Sequence, residues 1–282
     1  MTARCTRSLC VVAVVVSLLP AAAAEAGLLA YWSLDEGINQ TAADIIGDFD
    51  GTLGHGSSGG SDPAWGTGKF GNALSFSTGS GDNAALEAAY VKIGGGAKTG
   101  LDFAGATPFS ISTWVKSDNK DTTHEAFFDK NDYTGNKGYG LWFDGSNKVE
   151  FRFGSSIYTS ATAITNDGEW HLVVATFDGS TRHLYIDGNL QSGSGSGQPV
   201  AATNRDLYFG TYAIGPGRNW FSFDGDLDDL AMWDTALTQD DVDWLWNNGD
   251  GQSVATLIPE PGSMLLLVIG AIGLLALRRR RK

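Results

Sequence analysis

The chain has 282 residues, of which 42% are hydrophobic and only 18% charged, with 38 glycines and a formal net charge of −13. Gly27–Ile258 holds 30 of the 32 acids and 12 of the 19 Lys and Arg, a net of −18. Such a surface repels phosphate backbones and anionic headgroups, which argues against nucleic acid and leaves neutral ligands and divalent cations open.

At the N-terminus, Arg4 and Arg7 precede an apolar run from Leu9 to Leu19, then Pro20 and Ala21–Ala24. That order is a secretory signal peptide over residues 1–26, with cleavage after Ala24 or Ala26; as a membrane anchor its apolar core is short. Cys5 and Cys10 both lie in it, so the mature chain holds no thiol and must rely on its core. About 230 residues remain, enough for one sizeable core, and the domain is placed at residues 27–250.

Gly-rich punctuation recurs about every ten residues between short apolar runs, which favours an all-β sandwich. Strands are expected from Leu28, over Leu74–Phe76, at Tyr90–Ile93 and across PFSISTWVK from Pro108. In the last, Phe109, Ile111, Thr113 and Val115 share one face, and Ser110, Ser112 and Trp114 the other. Further strands fall at Ala126–Lys130, Tyr139–Phe143 and Val149–Phe153, where alternation turns Glu150 and Arg152 toward water. Trp170–Phe177 is apolar on both faces, as a central strand demands, and Leu184 and Ile186 complete a hairpin with it. SGSGSG from Ser192 reads as a loop within the domain, before a strand at Leu207–Thr211. A last strand lies within Phe223–Leu237. Thr238 then caps a short helix with Asp241 at the capping-box position, Val242, Leu245 and Trp246 forming its stripe. Residues 251–258 read as a linker.

The DGEWH turn at Asp167–His171 and the YIDG turn at Tyr185–Gly188, with Asp50-Gly51-Thr52-Leu53, PAWGTGKFGNALSF from Pro63 and FDGDLDDLAMWDTAL from Phe223, resemble the laminin-G-like jelly roll of the concanavalin A-like superfamily. The resemblance implies an antiparallel two-sheet jelly-roll sandwich with a short C-terminal helix. At the other end, Pro259-Glu260-Pro261, an apolar segment of 14 residues from Met264 to Leu277 and the basic Arg278–Lys282 follow one another. As a helix the apolar segment is roughly 21 Å long, short for a hydrocarbon core of about 30 Å. The three parts over 259–282 are similar to the PEP-CTERM sorting signal. That likeness implies an exosortase-type peptidase as partner, transient membrane insertion and delivery to a bacterial cell surface or matrix; a plain anchor is the alternative.

Among enzymes of this superfamily, laminarinase-type glycoside hydrolases carry Glu-x-Asp-x-Glu on the site strand, and the sequence has no such triplet. The leading reading is therefore a non-catalytic module for extracellular polysaccharide or glycoprotein, with a ligand-free structural or adhesive protein and an unrecognised glycoside hydrolase as alternatives. Among nine Trp, Trp142 and Trp220 are the least constrained by pattern and are the ligand-contact candidates. On a regular strand Asp228 would share a face with Leu230 and Met232, where a carboxylate must find hydrogen bonds or a cation. A structural Ca²⁺ shared by Asp44, Asp48 or Asp50 with Asp228 or Asp229 is one expectation, and turn capping by these acids is the other.

Overall fold

Period-two alternation builds two antiparallel sheets that face each other, with the apolar positions of both turned inward. A computed structural model describes residues 27–54, 62–77, 89–94, 99–117, 123–164, 167–193, 195–196, 201–215 and 218–258. The expected signal peptide and the sorting tail with Pro259, Glu260 and Pro261 lie outside the described residues.

The nine-stranded sheet runs in the order Asn189–Leu190, Thr181–Ile186, His171–Phe177, Phe109–Ser117, Gly225–Trp233, Asn72–Phe76, Ala64–Thr67, with Leu28–Trp32 and Gly195–Ser196 pairing at its sides. The eight-stranded sheet runs Ser156–Ala163, Lys148–Phe153, Lys137–Phe143, Glu125–Asp132, Leu207–Phe209, Val91–Ile93, Gly51–Leu53, Thr41–Ala42. Connections cross between the two, giving the expected jelly-roll sandwich. The central hairpin is present, with Val173 opposite Ile186 and Phe177 opposite Arg182. Gly195–Ser196 folds back on Thr181–Arg182, so the SGSGSG run belongs to the domain.

Between the sheets, Phe109 sits at 4.4 Å from the ring of Phe103 and 4.9 Å from that of Tyr139, with Phe151, Phe153 and Phe177 around it. The outer face of the nine-stranded sheet is also apolar: Tyr31, Trp114, Leu172, Val174, Ala231 and Trp233 form a second cluster. This explains why His171–Phe177 and Phe109–Ser117 are apolar on both faces. The cover is the chain's own C-terminal segment. Its helix, Gln239–Trp246, starts with the full capping box of Thr238 and Asp241, buries Val242 and Leu245, and ends at Asn247 in the left-handed region.

Three expectations are corrected. Residues 251–258 are not a linker: Val254–Leu257 forms a 3₁₀ turn whose Val254 and Leu257 are buried against that second cluster. Asp228 does not share a face with Leu230 and Met232. The register shifts between Asp228 and Ala231, with Asp229 at φ 51°, so Leu230 and Met232 join the inner core and both acids lie on the outer side. Glu150 and Arg152 do not face water; both are buried on the outer side of the eight-stranded sheet.

Candidate functional site

With one outer face closed, the other carries the site. Cross-strand pairing places Thr41, Thr52, Lys92, Tyr208, Asp129, Gly140, Arg152 and Ile157 in one rung across all eight strands. At about 4.8 Å per strand the rung is roughly 34 Å long. Beside it runs a second rung of Ala126, Trp142, Glu150 and Thr159.

Trp142 is the floor. Its indole N–H donates to Asp129 Oδ1 at 2.8 Å, and the guanidinium of Arg152 lies 3.7 Å from its ring. The rings of Tyr212 and Phe221 sit 5.2 Å from it. Arg152 donates through Nε to Glu150 Oε2 at 2.8 Å, and His124 Nε2 reaches Glu150 Oε1 at 3.7 Å. Asp129 also accepts from the Asn131 amide, but burial dominates and pushes its carboxyl up to about 7. Gly140 makes this contact feasible, since a Cβ there would stand 2.6 Å from Asp129 Oδ1.

Phe221 closes the cluster from above. It is 42% exposed and held at φ 55°, a left-handed conformation costly for a bulky side chain. Its carbonyl accepts from the Ala126 amide at 2.7 Å, which fixes it over Trp142. Toward the other end of the rung, Thr52, Gly54, Tyr90, Lys92 and Gly94 line an open depression of about 360 Å³. There Lys92 pairs with Asp206 at 3.0 Å, and the rings of Tyr90 and Tyr208 meet edge to face at 6.1 Å.

Of the two candidate tryptophans, Trp142 therefore lies in this array, buried under Phe221. The backbone of Trp220 is in a strand, Arg218–Trp220, paired with Tyr212–Gly215; its side chain lies outside what is described. Asp129, Arg152, Glu150 and Phe221 escaped sequence reasoning. Glu-x-Arg in a strand reads as a solvated face, and the rings of Tyr212 and Phe221, distant in sequence, pack against Trp142 beside it.

The acids expected to share a cation divide into two groups tied through Tyr31. Asp44 accepts from the amides of Tyr31, Ile46 and Phe49 at 2.9–3.2 Å, and Asp50 accepts from the Asp44 amide at 2.8 Å. Asp48 is exposed on the same loop. Asp229 accepts from the Tyr31 hydroxyl, from Ser253 at 2.8 Å and from the Val254 amide at 3.0 Å. Asp228 accepts from the Phe70 amide at 2.8 Å through Oδ2, while Oδ1 is buried with no hydrogen-bond partner among the described residues. Burial, the largest cause for each, pushes Asp228 up to about 8 and Asp229 up to about 6. Calcium takes six to eight oxygens. These donors as arranged do not fit it, and no group of three His, Cys, Asp or Glu among the described residues is placed to hold a metal.

A family model described as the concanavalin A-like lectin/glucanases superfamily matches residues 83–243, and a PEP-CTERM protein-sorting motif matches 257–281. The chain belongs to that superfamily and carries that motif, which implies export and surface sorting in bacteria. A search of curated proteins finds no match. Among solved structures, the chain is similar to domain 4 of AbnA, a GH43 extracellular arabinanase from Geobacillus stearothermophilus, in complex with arabinotriose. The TM-score is 0.54 at 22% identity, over 77% of this chain and 97% of that one. It is also similar to the binding domain of botulinum neurotoxin serotype D/C, with TM-score 0.56 at 15% identity, over 80% of this chain and 53% of that one. A third likeness is to Trypanosoma rangeli sialidase, TM-score 0.53 at 13% identity, over 79% of this chain and 33% of that one. At these identities the likeness is one of fold. The chain spans nearly all of the arabinanase domain but about half of the neurotoxin domain.

Proposed function

We propose that the exported domain is a non-catalytic module that binds carbohydrate across the outer face of the eight-stranded sheet. The observation that carries this reading is the asymmetry of the sandwich: one outer face is sealed by the chain's own C-terminal segment, whereas the other carries the aromatic and polar rung. Aromatic rings stack on the apolar faces of sugars and Lys and Thr bond their hydroxyls, and the exposed or half-buried groups on this face, Thr41, Thr52, Lys92, Tyr208 and Phe221, suit a neutral polysaccharide chain. The net −18 of Gly27–Ile258 disfavours strongly acidic polymers. Similarity to sugar-complexed and neurotoxin binding domains supports the class, and the sorting motif supports delivery to the cell surface or matrix by an exosortase-type system.

Glycoside hydrolysis is the second reading, because Asp129 and Glu150 share this face. It is disfavoured by their engagement: Asp129 is held by Trp142 and Asn131, and Glu150 by Arg152, and both are buried. A glycan array of residues 27–258, run beside a reducing-sugar assay on each bound glycan, tests both. Binding without sugar release is expected. Silence on the array contradicts the carbohydrate reading, and release abolished by Glu150→Gln replaces it with hydrolysis.

A further inference from the structure

The depression at the Lys92 end of the rung is floored by two paired strands, and Lys92 is the one charged group among the described residues that line it. Thr52 and Lys92 are cross-strand partners between Gly51–Leu53 and Val91–Ile93. Leu53, Val91 and Ile93 point into the core, so alternation turns Thr52 and Lys92 outward. Directly opposed side chains of an antiparallel pair start about 5 Å apart, which sets a hydroxyl beside an ammonium. The other neighbour of Lys92 across the strands is Tyr208, whose ring is braced edge to face by Tyr90 at 6.1 Å. Gly54 and Gly94 complete the lining with no side chain to fill it. A Cβ at Gly94 would meet nothing nearer than Lys92 Cε, at 3.7 Å, so the backbone there has room for a larger residue.

Charge narrows the ligand. In a domain of net −18, a lone ammonium would draw an anion, but Asp206 Oδ2 lies 3.0 Å from Lys92 Nζ and matches its charge. An ammonium has three donors and the ion pair takes one, so Lys92 still has donors for a neutral oxygen. The Thr52 hydroxyl both donates and accepts. Two such groups side by side, next to an aromatic ring, match two adjacent hydroxyls of one sugar and the apolar face of its ring. At about 360 Å³ the depression lies near the lower end of the roughly 300–1,000 Å³ of ligand pockets, which suits a unit or two of a chain. We propose, resting on the carbohydrate reading, that this depression is the subsite that selects the polymer: Lys92 and Thr52 bind two free hydroxyls on neighbouring carbons of one ring, and Asp206 positions the ammonium. Neutral polysaccharides whose units keep such a pair are the preferred class, and those whose units lack it bind weakly.

The test measures the affinity of the full chain, kept soluble in mild detergent, for three polymers. Xylan and glucomannan keep adjacent free hydroxyls on their backbone units; laminarin does not. Binding to xylan or glucomannan is expected to be at least tenfold tighter than to laminarin, and to be lost once periodate has opened the rings between the paired hydroxyls. Lys92→Met, which keeps the stem and removes the donors, should weaken it at least tenfold. Thr52→Val, of nearly the same shape, should weaken it about threefold or more, the worth of one hydrogen bond. Gly94→Leu, which fills the depression and leaves every polar group in place, should match Lys92→Met and decides the matter if that variant does not fold. Equal affinity for laminarin, binding that survives periodate, or wild-type affinity in folded Lys92→Met or Gly94→Leu would overturn the subsite and leave the carbohydrate reading standing. Silence on xylan and glucomannan while other glycans bind on the array would do the same. Silence on every glycan removes the reading itself and the subsite with it.

Discussion

The hydrogen bond from Trp142 Nε1 to Asp129 Oδ1, 2.8 Å long, exists because the residue opposite Asp129, two before Trp142 on the same strand, is Gly140. A Cβ at 140 would stand 2.6 Å from the carboxylate oxygen and 2.9 Å from the indole nitrogen. Gly140→Ala is therefore expected to cost about 1–3 kcal/mol through overpacking and to break the pair. Chemical denaturation reads the cost, and a red-shifted tryptophan emission reads the exposed indole. An unchanged midpoint would show that the pair does not organise the face.

Stability should fall as pH rises from about 5 to 8. Asp129 is pushed up to about 7, Asp228 to about 8 and Asp229 to about 6, burial being the first cause in each. A raised carboxyl holds its proton more tightly in the folded state. Its stabilisation is complete below the unfolded value of about 3.8 and is lost as pH rises through the folded one. His171, raised chiefly by its hydrogen bond with Asp187, behaves likewise: its contribution is full below about 6.5 and lost above its folded value. Asp132 and Asp178 are lowered by backbone hydrogen bonds to Gly135 and Thr181 and act in the opposite sense only below about 3.8. Melting temperatures across this range should decline, and Asp228→Asn should flatten the decline. A melting temperature that climbs from pH 5 to pH 8 would refute the assignment.

Calcium and a chelator should leave the melting curve unchanged. An ion bound at a hundred times its dissociation constant adds about 2.7 kcal/mol, which for a domain of this size is roughly 5–10 °C. The carboxylates of Asp44 and Asp229 are already occupied by amides and hydroxyls. A chelator-sensitive shift of that size would mean that these groups rearrange around a cation.

Tyr31→Phe removes the phenol donor to Asp229 from a wholly buried position. Leaving that acceptor short of a partner should cost about 1–3 kcal/mol, and the loss should be larger at pH 8 than at pH 5, where more of the carboxyl is neutral. Equal losses at both pH values would show that the bond from Tyr31 does not depend on the charge of Asp229.

The sheets were legible where the signal is local. Phe109–Val115 and Trp170–Phe177 show their two faces in the sequence, and Thr238 with Asp241 marks the helix start, as observed. What could not be read depends on distant segments. Alternation extended through Asp228–Met232 misses a bulge whose cause is the contact of Asp229 with Tyr31 and Ser253, 198 and 24 residues away. The same holds for Glu150 and Arg152, whose burial comes from Trp142 beneath the Tyr212 and Phe221 rings. Strand Ser156–Ala163, rich in Ser, Thr and Ala, lacks the apolar alternation that would announce it.

The outer face of the eight-stranded sheet as the sugar-binding surface is tested most directly by titration calorimetry with a polysaccharide selected on the array, comparing wild type with Tyr208→Ala, Phe221→Ala and Thr256→Ala. Tyr208 lies on the rung and Phe221 over Trp142, whereas Thr256 is exposed on the C-terminal segment that covers the opposite face. The account predicts at least tenfold weaker binding for the first two, measured in variants that remain folded by circular dichroism, and wild-type affinity for the third. Affinity that survives both face substitutions, or that is lost with Thr256→Ala, would contradict it.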